Sequence, residues 1–279
     1  MQTRTIRKVV TGTTQYDGAG VKLVRVISAP DVKEFDPFLM LDAFDSCDPD
    51  DYTKGFPWHP HRGIETVTYL ISGNIEHMDS IGNKGNILDG CCQWMTAGGG
   101  ILHQEMPQKS ERMLGVQLWL NLPRVDKMTT PKYRDITANM IPIIEEDGCS
   151  IRIISGNYKG NVGAVEGEYV KMQFLDVDMK TGAQWKLDTD KDTNMFIYIA
   201  EGEGWFEKSD ENLLSSKRAV LFNDGEELLA RATDKGLRFL LFSGPKLNEP
   251  IAWGGPIVMN SQEELKQAFK DIDDGTFVK

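Results

Sequence analysis

The chain has 279 residues, 40 % of them hydrophobic, and sets 31 basic against 42 acidic side chains for a net charge of −11. That length accommodates two domains or one large β domain, and an average surface this acidic repels a phosphate backbone, which sets direct nucleic-acid binding aside. The longest apolar run, MFIYIA at Met195 to Ala200, is far too short to cross a bilayer, so no membrane span is expected. In chain order the predicted elements are mostly strands, short segments with period-two or β-branched patterns between Gly, Asp and Asn. The first half gives Val21 to Ile27, Glu65 to Ser72, Asn74 to Ser80, Cys92 to Ala97 and Gly115 to Asn121. The second half gives Ile151 to Ser155, Val170 to Met179, Met195 to Gly202, Ala219 to Asn223 and Leu237 to Gly244. One helix is predicted, SQEELKQAFKDI, where Ser261 and Glu264 have capping-box spacing and Leu265, Ala268 and Phe269 form an apolar stripe.

Many short strands at regular spacing imply an all-β fold, with a sandwich or barrel in each half. The polar segment NLPRVDKMTTPKYRD, Asn121 to Asp135, is the expected bridge between the halves. ETVTYLISG and NMFIYIAEG form a faint internal repeat, which aligns Asp188 and Asp190 with His59 and His61; a solvated turn is the expected role of the two aspartates. The opening MQTRTIRKVV turns polar by Thr11 without an export signal. The four cysteines, Cys47, Cys91, Cys92 and Cys149, lack both zinc-ribbon spacing and scaffold density. A soluble, cytoplasmic protein with structural thiols is expected, the nucleus being open to it if the source is eukaryotic.

All four histidines fall between residues 59 and 103. On an extended strand residues i and i+2 share a face, so His59 and His61 present two imidazoles to one point, and His103 with Glu105 repeats the spacing with one imidazole and one carboxylate. Three nitrogens and one oxygen suit Fe(II), with Mn, Ni, Cu or Zn as other occupants, and leave two positions open on an octahedral ion. His77, in the alternating NIEHMDS, is expected at the surface or supporting the ligands. Gly98, Gly99 and Gly100 allow a tight turn before His103. Phe56, Trp58, Trp94 and Met106 are near the ligands in sequence and are candidates for an apolar mouth that accepts a flat aromatic molecule.

DPFLMLDAFD, FPWHPHRGIETVTYLISGNIEHMDSIGNKG, QWMTAGGGILHQEMP, LGVQLWLNLP and GPIVMNSQEELKQAFKDIDDGTF resemble the pirin family, in matching order over nearly the whole chain. The resemblance implies a bicupin, two tandem jelly-roll cupin β-barrels with a short C-terminal helix: residues 1–130 as the metal-binding cupin and 131–279 as a cupin without metal. It implies His59, His61, His103 and Glu105 as ligands of one mononuclear metal, usually iron, and leaves Glu65, a ligand in generic cupins, beside the site. Cys91, Cys92 and Gly99 depart from the common family pattern. By resemblance to quercetin 2,3-dioxygenases, the expected partners are a flavonol and O2, with Glu105 as the catalytic base. Family members are also described as metal-dependent partners of transcription factors or metabolic enzymes, so a regulatory role with a protein partner is the alternative.

Overall fold

The computed structural model describes residues 1–278, and its contacts divide the chain into two units. One comprises Thr13–Val32, Pro37–Ala138 and Leu247–Lys279; the other comprises Met1–Gly12, Lys33–Asp36 and Asn139–Lys246. The all-β expectation holds: strands dominate both units, and among the described residues no helix is long and apolar enough to cross a membrane.

In the first unit a seven-stranded antiparallel sheet runs in the order Lys132–Ile136, Cys92–Thr96, Ile64–Ser72, Met113–Asn121, Phe38–Ser46, Val21–Ile27, Thr13–Asp17. A four-stranded sheet, Phe56–His61, Ile101–Pro107, Ile75–Asp79, Lys84–Ile87, closes the barrel over it. Leu70 and Phe44 of the larger sheet pack on Ile75 and Ile87 of the smaller one, as alternation on half-buried strands requires. In the second unit the 19-residue strand Glu227–Pro245 pairs with Gln184–Asp188, Gln173–Met179 and Thr193–Trp205, and its barrel closes around Trp185, Phe206, Phe222 and Phe239. Asp190 lies in an exposed turn there, as expected, whereas Asp188, though exposed, ends strand Gln184–Asp188 opposite Glu227 and is not in a turn.

The units differ from a single cut at residue 130. Ile6–Thr11 pairs with Arg218–Phe222 and so groups with the second barrel, while Leu247–Lys279 groups with the first. Asn121 to Asp135 is not a bridge: Leu122 and Lys127 are buried, and Lys132–Ile136 is the edge strand of the seven-stranded sheet. The predicted strand from Val170 begins at Gln173. The helix spans Gln262–Asp273, with Ser261 and Glu264 closing the capping box. Phe269 lies at the margin of its stripe, 41 % exposed, and Asp271 takes the buried place instead.

Asp271 is buried because Arg62 meets it: the guanidinium donates to its carboxylate at 2.7 Å and to the Phe277 carbonyl at 3.1 Å, and stacks over the Phe277 ring. Arg62 follows His61 directly, so this ion pair fastens the C-terminal segment to the strand that carries two histidines. Asp271→Ala is expected to lower the unfolding free energy by about 3 kcal/mol, because it strands a buried guanidinium. Joined with Arg62→Met, an Asp271→Leu change should recover most of that loss in urea titration. A single-variant loss below about 1 kcal/mol would show that Arg62 finds water.

Candidate metal centre

Strand Phe56–His61 lies antiparallel beside Ile101–Pro107, with His103 opposite His59, and the three imidazoles converge from that pairing. Ring centroids are 4.9 Å apart for His59 and His61, 4.3 Å for His59 and His103, and 4.9 Å for His61 and His103. One nitrogen from each of the three lies within 4.8 Å of the others. Nε2 of His59 and Nε2 of His61 are 3.1 Å apart.

The tautomers follow from the neighbours. Nδ1 of His59 is 2.8 Å from the Pro57 carbonyl oxygen and Nδ1 of His61 is 3.1 Å from that of Pro256. A carbonyl only accepts, so each neutral ring carries its proton on Nδ1 and turns an Nε2 lone pair toward the other. His103 is fully buried, and neither of its ring nitrogens meets a hydrogen-bond partner. Converging lone pairs in a dry interior repel one another unless a cation lies among them, so these residues fit a bound metal, with carbonyls orienting two of the rings.

Burial sets the protonation of the cluster. His61 is pulled down to about 3, first by burial and then by the neighbouring His59. His103 is held well below the usual imidazole range by burial, then by His61, His59 and His77. Burial also lowers His77, partly offset by Glu105 and Asp79.

Glu105 faces inward two residues beyond His103, across from His77 on strand Ile75–Asp79. Its carboxylate accepts Nε2–H of Gln117 at 2.9 and 2.8 Å and the Thr68 hydroxyl at 3.3 Å. The Gln117 amide is oriented from its other end, where Oε1 accepts the Trp119 indole N–H at 3.3 Å. Glu105 belongs to a second group of potential ligand atoms within 4.8 Å, shared with His103 and His77. His77 is therefore not at the surface: it is 0 % exposed, with its ring against His103 on one side and Tyr133 on the other.

Glu65 alternates with Thr66 and Thr68 along strand Ile64–Ser72, and Thr68 is the residue that reaches Glu105. Alternation turns Glu65 to the opposite face, where it accepts the Thr96 hydroxyl at 2.6 Å and lies 3.8 Å from Arg134. Gly98 and Gly100 have φ of +49° and +138°, and a Cβ on them would meet the carbonyl oxygens of Thr129 at 2.1 Å and Phe277 at 2.3 Å. Gly99 has ordinary φ and its nearest neighbour at 3.3 Å, so the departure from the family pattern falls where a side chain has most room.

A cavity of about 460 Å³ opens on His59, His61 and Glu105. Of the four aromatic or apolar candidates near the ligands in sequence, Phe56 lines it; Trp58 is 49 % exposed, Trp94 is in the core, and Met106 packs near Gly55. The large rings at the cavity are instead Trp119 and Trp253. Trp119 was within reach of sequence reading, two residues from Gln117 on one strand; Trp253 has no sequence signal linking it to the histidines.

The Pirin family model matches residues 20–120, and the model for the pirin C-terminal cupin domain matches residues 174–278. A pirin-like protein from Caulobacter vibrioides is 40 % identical over 280 residues, covering 99 % of this chain and 100 % of its own length. One from Solanum lycopersicum is 40 % identical over 273 residues, 98 % of this chain and 92 % of its own. A crystal structure of quercetin 2,3-dioxygenase from Acinetobacter baumannii superposes with a TM-score of 0.89 at 32 % identity, covering 99 % of this chain and 98 % of that one.

Two expectations follow from the centre. Glu105→Ala should lose bound metal on dialysis while Glu65→Ala retains it, read by elemental analysis of both variants after identical treatment; the reverse ranking would place the carboxylate ligand on the wrong strand. The buried histidines also predict the acid response of the metal-free protein. Their folded pKa values lie below the unfolded value of 6.5, so the unfolded chain binds more protons and stability falls as pH drops from about 6.5 toward 3. Each contributes a slope of up to about 1.4 kcal/mol per pH unit. His61→Asn should make the denaturation free energy measurably flatter between pH 7 and 5, and an unchanged slope would mean that His61 protonates in the fold.

Proposed function

The chain belongs to the pirin family, and on that premise we propose that its first barrel is a mononuclear iron(II) centre that cleaves flavonols with O2, a quercetin 2,3-dioxygenase-type reaction. The observation that carries the reading is the cavity itself: converging imidazole lone pairs and a carboxylate at one end, indole and thioether side chains along its wall. The similarity to a quercetin 2,3-dioxygenase supports it.

His59, His61 and His103 would hold the ion with Glu105, and this donor set also takes Mn, Ni, Cu or Zn. Iron(II) bound there would supply the redox chemistry by which O2 and a closed-shell phenol react. The chain's own residues do the rest. Glu105 takes the proton from the flavonol 3-hydroxyl, and Gln117, itself held by Trp119, keeps the carboxylate in place for that transfer. Met40, Trp119 and Trp253 clasp the flat rings and exclude water. The Pro57 and Pro256 carbonyls keep the Nδ1 protons of His59 and His61 where they are, so these two imidazoles take no part in proton transfer. Ring opening with O2 releases carbon monoxide, and the proton taken by Glu105 returns to the product acid.

Iron-loaded protein given quercetin in air should bleach the flavonol absorbance and release carbon monoxide, and His61→Ala should abolish both. Glu105→Gln is expected to slow turnover at least a hundredfold, the usual scale of a lost general base. If fully loaded protein turns over no member of a flavonol panel faster than free iron does, the dioxygenase reading is wrong.

A further inference from the structure

One wall of the cavity carries charges that ring cleavage does not use. Asp42, on strand Phe38–Ser46, lines the cavity at 4 % exposure, and Arg25 stands opposite it on strand Val21–Ile27. Asp17, at the end of the neighbouring strand, lines the cavity beside them. Arg25 donates from Nε to Asp42 Oδ1 at 2.9 Å and from Nη2 to Asp42 Oδ2 at 2.7 Å. Its Nη2 also reaches Asp17 Oδ2 at 2.7 Å, and its Nη1 reaches Gln15 Oε1 at 3.4 Å.

Every nitrogen of this guanidinium is engaged, and its one positive charge faces two carboxylates. The wall is therefore acidic by one charge, rich in oxygen lone pairs and poor in uncommitted donors. A carboxylate oxygen that accepts one N–H from Arg25 keeps capacity for a second donor. Asp42 is also in register with Gln117 on the adjacent strand, and Gln117 holds Glu105. The acceptor wall and the proposed base are thus linked through Gln117, which neighbours Asp42 on the seven-stranded sheet and donates to Glu105 on the facing four-stranded sheet.

We propose that Asp42, oriented by Arg25 and flanked by Asp17, determines specificity in this cavity: it accepts a hydrogen bond from a hydroxyl on the distal ring of a neutral, flat phenol and rejects ligands with an anionic group there. This deepens the flavonol reading and rests on it. Hydroxyl donors suit a wall of lone pairs; a carboxylate or phosphate meets a wall of net like charge in a partly desolvated space, where the Arg25 guanidinium is already committed to Asp42 and Asp17. Arg25 keeps Asp42 satisfied when the cavity holds only water, so the discrimination is moderate, about 10- to 100-fold, the scale of one hydrogen bond to a charged group.

The test is equilibrium binding under anaerobic conditions, read by quenching of tryptophan fluorescence, with three probes that share one core: 3-hydroxyflavone, 3,4′-dihydroxyflavone and 4′-carboxy-3-hydroxyflavone. The 4′-hydroxyl compound should bind at least about tenfold tighter than the parent, and the carboxylate weaker than the parent. Asp42→Asn should bring all three within about threefold by raising the carboxylate and lowering the hydroxyl compound, with the parent unchanged. Asp17→Asn, at a more exposed position less prone to disturb folding, should narrow the carboxylate penalty. Equal affinities in the wild type, tightest binding of the carboxylate, or an equal loss for all three probes in Asp42→Asn would overturn the assignment. The expected order, together with no carbon monoxide release when the same iron-loaded protein and probes are afterwards given O2, would sink ring cleavage and leave the role of Asp42 standing, whereas no binding by any probe overturns both.

Discussion

Two imidazole nitrogens that face each other lone pair to lone pair, 3.1 Å apart, are the constraint around which the first unit is arranged. No hydrogen bond relieves that approach, because Pro57 and Pro256 hold the ring protons on the far sides. The buried His61 does not escape by protonation either, since desolvation penalises its imidazolium. The arrangement is stable on its own only if the surrounding barrel holds it rigidly, and it gains from any cation that accepts the three nitrogens.

That rigidity comes from chain ends far apart in sequence. The segment Leu247–Lys279 brings the Pro256 carbonyl to His61, Asp271 to Arg62, and the Phe277 carbonyl against Gly100. Lys127 adds a buried anchor: its ammonium donates to the carbonyl oxygens of Gly63 and Val258, each at 2.8 Å, and to Asn121 Oδ1 at 2.5 Å. Burial pulls this lysine down to about 7, yet three acceptors match its three donors, and the bonded geometry argues that it remains an ammonium at neutral pH. A Cβ at Gly63 would come 2.0 Å from the Val258 oxygen, so the loop after the histidine strand has no room to drift.

Across the seven-stranded sheet, polar residues occupy one register: Arg25 opposite Asp42, Asp42 opposite Gln117, Gln117 opposite Thr68, Thr68 opposite Gln93. Such a row in a barrel interior is costly unless its members are satisfied: the Arg25–Asp42, Gln117–Thr68 and Gln117–Glu105 bonds satisfy it from Arg25 to Thr68, while Gln93 at its far end bonds, among the described residues, only through Nε2 to the Tyr133 hydroxyl at 3.4 Å. Its middle positions Glu105 and its end lines the cavity wall. Hydrophobic packing fixes the barrel, and this row gives its interior a direction, from the ligand end toward the acceptor wall.

Alternation and local spacing are legible in the chain before it folds. Period-two and β-branched patterning marked ten of the 24 described strands, the serine and glutamate of the capping box marked the helix, and the pairs His59–His61 and His103–Glu105 marked faces of two strands before either had a partner. Tertiary structure alone decided what depends on which strands meet. It placed His77 in the interior against His103, Glu65 on the far side of its sheet beside Thr96, and Trp253 at the cavity, and it gave the C-terminal segment to the first unit and Ile6–Thr11 to the second. The reason is physical: a side chain's face is set by its own strand, but the group it meets there is set by strand order and register, and antiparallel barrels pair residues separated by hundreds of positions.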